Sequence, residues 1–214
     1  MPSITARATS SGEVARLSPN GTVALDRIRE LTGLGLAELA AGLERCDDGP
    51  GPVLAIPHLS GATNPWPDGD RSQGALLGLS LATSPLDVAR AVMEGIAFDL
   101  ALTLEHLRAA GAPARLIRAG GGGARSAWWM QLKADLTGLE VEVVDHPEAG
   151  ALGAAIGAGL ADGTFAGLEP AVAAIVRPGR RYTPDPDRAA RYGERLVRYR
   201  ATVEALIDLQ PTRR

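Results

Sequence analysis

Residues 116–138 leave few folds open. Leu116-Ile117 ends a short apolar run that reads as a buried strand. Gly120-Gly121-Gly122-Gly123 follows, and Trp128, Trp129, Leu132 and Leu136 then recur at helical spacing until Gly138. A strand that turns through glycine into a helix is a building block of layered α/β structure. Glycine has no Cβ, so the backbone can approach a ligand closely. The helix start adds free N–H groups and the positive end of a dipole. The stretch therefore reads either as a phosphate-binding turn or as a tight turn with no ligand. It is not a P-loop, because no Gly-x-x-x-x-Gly-Lys-Ser/Thr occurs. It is also a poor dinucleotide fingerprint: Arg125 stands where the third glycine belongs, although Asp145 lies at a suitable distance.

The other elements can be placed by pattern. Residues 4–17 read as a weak hairpin around Ser10-Ser11-Gly12. Thr22 is placed to cap a helix carrying Leu25, Ile28, Arg29 and Leu31, ended by Thr32-Gly33. A short helix over 36–45 has Leu36, Leu39, Ala40 and Leu43 on one face, and Val53 to Ile56 reads as a buried strand. The segment 57–73 lacks periodicity and holds His58, Ser60, Asn64, Trp66, Asp68, Asp70 and Arg71. A loop of that length in a compact domain is functional or disordered, and Trp66 between two prolines argues for order.

Ser84-Pro85-Leu86-Asp87 is a helix start, with a serine cap, a proline in the first turn and an acid on the dipole. Ala89, Met93, Ile96, Leu100, Leu104 and Leu107 continue the helix to about 110. Glu94 lies beside this stripe, where an acid is expected to be half-buried with a satisfied partner. Val141, Val143 and Val144 form a further strand. The small apolar run 151–160 suits a helix of very close backbone packing. A last helix over 186–209 carries Tyr192, Leu196, Tyr199, Val203 and Leu206 on one face. Strand and helix alternate twice, which implies an α/β domain with some parallel pairing.

The 214 residues suffice for one good-sized domain or one lobe of a larger enzyme. A net charge of −3 gives no reason to expect nucleic acid as a partner, and the arginines at 177, 180, 181, 213 and 214 read as solvated ends. The single cysteine, Cys46, rules out an internal disulfide and suits a cytoplasmic protein. Residues 1–11 lack the apolar core of a signal peptide, and no stretch is long and apolar enough to suggest a membrane span.

Three ordered segments then resemble the second half of a carbohydrate kinase of the FGGY family, its xylulokinase members above all. Pro57-His58-Leu59-Ser60-Gly61 through Asn64-Pro65 is similar to the family's Pro-Tyr-Leu-Ser-Gly-Glu-Arg-x-Pro loop. Gly74-Ala75-Leu76-Leu77-Gly78-Leu79 followed by Asp87 to Gly95 resembles its C-terminal signature. Gly121-Gly122-Gly123-Ala124-Arg125-Ser126, then Gln131 to Asp135 and Ala151 to Ala155, completes the likeness. The resemblance implies one actin/hexokinase-like (ribonuclease H-like) α/β lobe, incomplete relative to the two-lobed family fold. It divides the chain into a hairpin remnant (1–21), the nucleotide-binding lobe (22–182) and a C-terminal helix (183–214).

The resemblance also implies ATP, with Mg²⁺ carried on it, as the cofactor of a phosphoryl transfer to a xylulose-like sugar. Gly121, Gly122, Gly123 and Ser126 match the turn against the nucleotide. Gly21, Thr22 and Asp26 match the helix flanking the base. The departures from the family are equally definite. Ala62-Thr63 replaces the family's Glu-Arg, nothing before Ser11 resembles its phosphate hairpin, and the lobe that carries the sugar site and the catalytic aspartate has no counterpart. Asp68, Asp70, Asp99, Asp135 and Asp145 could serve as a base by chemistry alone, but each reads more simply as a surface or capping acid. The chain is thus expected to be inactive alone and to need an N-terminal kinase lobe or self-association. The alternative is a non-catalytic remnant that binds nucleotide weakly or binds only a partner.

Overall fold

A computed structural model describes residues 21–47, 49–62, 65, 66, 68–145 and 149–209. The expected hairpin at 4–17, Asn64 and the extreme C-terminus lie outside these. The molecule is built around one helix, α3 (Pro85–Ala109). Its start is a complete capping box: Ser84 Oγ accepts from the Asp87 amide at 3.2 Å, and Asp87 Oδ2 accepts from the Ser84 amide at 2.9 Å. From Ala89 to Leu104 every residue is buried. An apolar stripe alone would bury one face. This helix is covered on all sides, by α1 (Gly21–Thr32), α2 (Leu36–Leu43), α4 (Ala127–Thr137), α7 (Pro186–Leu209) and the strand β1 (Leu54–Ile56).

The strands form two small sheets. β1 pairs antiparallel with β2 (Ala75–Leu77), Ala55 opposite Leu76. β3 (Ile117–Ala119) runs parallel to β4 (Val141–Val144) with α4 as the crossover, the parallel unit that the sequence implied. β5 (Pro178–Tyr182) closes that sheet antiparallel to β4. Between β4 and β5 the chain makes α5 (Ala149–Ala161) and α6 (Leu168–Ile175), which pack chiefly on each other. α7 then returns across the core. Its Tyr192 and Tyr199 flank Phe98 of α3 with ring centroids 6.2 and 5.2 Å away, a spacing of favourable tilted aromatic pairs.

Several expectations need correction. Thr22 does not cap α1; it sits inside the first turn, and the helix buries Ala24 and Leu25 while Leu31 stays 64% exposed. α2 ends at Leu43, and Leu36 and Ala40 face water. Ile117 is half-buried and opens its strand instead of ending one. α6 and β5 carried no clear pattern: α6 is short, with Pro170 in its first turn, and Pro-Gly-Arg-Arg-Tyr is a poor strand former tolerated only at a sheet edge.

Candidate functional site

The turn after β3 gives its glycines three different tasks. Gly121 has φ +83°, a left-handed conformation that side-chain-bearing residues rarely adopt. Gly122 opens a single 3₁₀ turn, Gly122–Arg125, and a Cβ built on it would meet nothing within 4 Å. Gly123 points inward. A Cβ there would lie 2.8 Å from Trp129 Cζ3 and 3.3 Å from Thr22 Cγ2. The turn thus brings the first turn of α1 against the start of α4. Two stretches a hundred residues apart in sequence meet here, and Gly122 is left facing open space.

Ser126 is the N-cap of α4, its Oγ accepting from the Trp129 amide at 3.3 Å. Ser126→Ala would therefore remove a helix cap together with any ligand contact, which makes it a poor probe of the latter. Asp26 lies one turn beyond Thr22, on the exposed side of α1, and pairs with Arg29 at 3.2 Å. Gly21 begins the helix. Trp129 anchors the turn from behind, with Nε1 donating to the Met93 carbonyl of α3 at 2.8 Å. Lys133, one turn further along α4, lies 3.8 Å from the Trp129 ring centroid, and burial pulls its pKa from the usual lysine value down to about 8.

The loop 57–73 holds a buried polar cluster that the sequence did not reveal. His58 Nδ1 lies 2.6 Å from Ser72 Oγ, and Nε2 lies 2.9 Å from Asp99 Oδ2. Asp99 Oδ1 also accepts from Trp66 Nε1 at 3.3 Å and from the Tyr199 hydroxyl at 2.8 Å. The serine, histidine and aspartate are in relay order, yet His58 and Ser72 are each only 1% exposed. No substrate could reach that hydroxyl, so the cluster pins the loop to α3 and α7. Burial, reinforced by the Asp99 carboxylate, pushes the Tyr199 phenol well above its usual value and keeps it a donor.

A second cluster holds the loop before β1. Glu94, expected half-buried, is only 1% exposed. Its Oε1 accepts from the Gly51 amide at 3.0 Å, Arg90 Nε at 3.0 Å and the Tyr192 hydroxyl at 3.3 Å. Arg90 also donates to the Gly49 carbonyl and pairs with Asp47. Burial raises the Glu94 pKa, while Arg90 and the Gly51 amide oppose the rise.

The other described candidate acids are either engaged or exposed. Asp99 and Asp135 are buried and engaged, the latter by Gln131, the Asp185 amide and Arg188. Asp68 and Asp145 are exposed, and the side chain of Asp70 lies outside the described set. No helix among the described residues is long and apolar enough to cross a membrane.

The family model for the C-terminal domain of FGGY carbohydrate kinases matches residues 21–161, from the start of α1 to the end of α5. The chain belongs to the FGGY family. Among its relatives is the xylulose kinase of Escherichia coli, 31% identical over 86% of this chain and 38% of that enzyme. A glycerol kinase of Paracidovorax citrulli is 36% identical over 74% of this chain and 32% of its own length. The crystal structure of a Brucella ovis xylulose kinase superposes with a TM-score of 0.76 at 26% identity, covering 88% of this chain and 39% of that one. The fold is therefore the actin/hexokinase-like C-terminal lobe of the family, xylulose kinase-like in its relatives. The chain spans well under half the length of the enzymes it matches.

Proposed function

We propose that this lobe binds the nucleotide for a sugar kinase, holding ATP at the glycine turn. The reaction is transfer of the γ-phosphoryl group to a hydroxyl of a xylulose-like sugar. The observation that carries this reading is the meeting of α1 with the turn, Thr22 Cγ2 standing 3.3 Å from the Cβ position of Gly123, while Gly122 faces open space. A purine lying on Gly122 would have backbone on one side and the first turn of α1, with Thr22 and Asp26, on the other. Mg²⁺ comes with the phosphates, since this ion keeps waters and phosphate oxygens as most of its ligands.

Phosphoryl transfer also needs an oriented hydroxyl, a base and a phosphate clamp. The engaged or outward-facing acids described above do not make such a set. The reading therefore requires a first lobe as partner, on the same polypeptide or another, to supply the sugar site and the base.

Titration calorimetry with an ATP analogue tests the assignment. A Cβ at Gly122 meets nothing within 4 Å and the residue has no positive φ, so Gly122→Val should leave Tm nearly unchanged while abolishing binding. Equal binding by Gly122→Val and the native chain would show that the glycines form only a turn. In the same preparation, ATP, Mg²⁺ and a panel of ketoses should give no turnover. Rates in the usual enzyme range, about 1–10³ s⁻¹, would mean that the lobe carries its own catalytic set.

A further inference from the structure

Between α1 and the β1–β2 pair lies an apolar groove of about 310 Å³. Ala24 and Ile28 of α1, Val92 of α3, Ile56 of β1 and Leu76 of β2 line it, with Leu59 from the loop after β1. Leu59 is 50% exposed and Leu76 37%. Among the described residues the lining holds no polar side chain. Small-molecule sites combine apolar walls with a few placed polar groups, and no side chain here could orient a polar ligand. The groove asks instead for apolar side chains, since its walls gain free energy when water leaves them.

The chain has such side chains close at hand. Residues 1–20 precede α1 and enter it at the end that lines the groove. Ala24 is only about 5 Å along the helix axis from Gly21. Leu17 lies within about 14 Å of Gly21 in any conformation, because four residues can span no more. Ile4-Thr5-Ala6-Arg7-Ala8-Thr9 alternates apolar and polar, the period of a strand with one buried face. Val14 and Leu17 follow as two larger apolar residues. The β1–β2 pair beside the groove has only two strands, an arrangement that is marginal in water unless something packs on it.

We propose that residues 4–17 lie across this groove as a cover supplied by the chain itself, with Ile4, Ala6, Ala8 and Leu17 against Ile28, Leu59 and Leu76. α1 meets the groove through Ala24 and Ile28 and the glycine turn through Thr22. A seated cover therefore also braces the helix whose first turn meets Gly123. The proposal does not depend on what the turn binds.

The test uses the full chain with Cys46→Ser and Thr5→Cys, a nitroxide on the introduced thiol and isotope-labelled Ile, Leu and Val methyl groups. Methyl signals of Ile28, Leu59 and Leu76 should broaden strongly. Those of Leu168 in α6 and Val197 in α7, exposed and outside the groove lining, should broaden far less. Adding Ile4→Ser and Leu17→Ser should remove most of that selectivity. Absent or uniform broadening in the first variant would overturn the proposal, and so would selectivity that survives both serines. A spin-labelled chain mixed with a separately isotope-labelled one detects a second copy in the groove. No broadening should pass between molecules; selective broadening that does so would replace the cover with a dimer and overturn the proposal.

Discussion

α3 and α5 are both rich in small and apolar residues, yet they end in opposite surroundings. α3 is buried without interruption from Ala89 to Leu104. Among the described residues of α5 only Ile156 and Gly159 are buried, and residues 153–155, 157 and 158 face water. Apolar content does not explain the difference, since α5 has no polar side chain at all. What separates them is that α3 carries polar groups whose partners come from elsewhere. Glu94 and Arg90 bind the loop before β1, Asp99 binds the loop 57–73, and both acids take a hydroxyl from α7. Burial of these groups is tolerable only with those partners in place, so they dictate which segments surround the helix. α5 makes no such demand, and its neighbours in this chain are few.

The glycines of the two helices repeat the contrast. A Cβ on Gly95 of α3 would stand 2.5 Å from the Ala55 carbonyl oxygen and 2.9 Å from Pro57 Cδ, so the residue is fixed by close approach of β1. On α5, Gly159 is fixed by Phe165, but a Cβ on Gly150, Gly153 or Gly157 would meet nothing within 4 Å. Glycine inside a helix costs about 0.5–1 kcal/mol relative to alanine. Nothing within the described lobe requires that cost at Gly153 and Gly157.

The largest effect should come from Glu94→Ala, which leaves Arg90 buried without its acid and removes an acceptor from the Gly51 amide and Tyr192. Breaking a buried pair in this way costs about 3–5 kcal/mol, readable as a lower midpoint in urea. A loss under 1 kcal/mol would mean that the network does not organise the core. Gly95→Ala comes next. Ordinary helix propensity favours alanine, but the clash with Ala55 should reverse the sign and destabilise by about 1–3 kcal/mol. A more stable variant would show β1 free to shift off α3. The smallest effect has the opposite sign: Gly153→Ala with Gly157→Ala should stabilise the isolated lobe by about 1–2 kcal/mol in total. The same pair should weaken binding to a separately expressed first lobe, if that lobe uses the open face of α5. Destabilisation of the isolated lobe would show the face to be covered already.

Much of this architecture was legible because local rules governed it. Ser84-Pro85-Leu86-Asp87 announced α3, and the glycines after Ala119 announced the turn, although the strand begins at Ile117, where the apolar run ends. The burial of α3 on every side was not legible, because its stripe described one face and the remaining cover comes from distant segments. Tyr192 and Tyr199 could be assigned to the inner face of α7, but nothing local tied their hydroxyls to Glu94 and Asp99. His58 and Ser72 looked like loop residues for the same reason. At the candidate site the glycines were visible and their division of labour was not. It depends on Thr22 and Trp129, which converge only in three dimensions. β5 stayed hidden because a proline and two arginines give no strand signal, and only its edge position makes them acceptable.

The two tyrosines of α7 also set an order of events during synthesis. Their hydroxyls enter the chain 98 residues after Glu94 and 100 residues after Asp99. A ribosome adding about 5–20 residues per second leaves α3 waiting roughly 5–20 s for them. During that interval Phe98, which will lie between the two rings, has no cover on that side, and each acid lacks one of its donors. The nascent lobe is then at its most adhesive, and a chaperone or a neighbouring chain competes with α7 for the same surface.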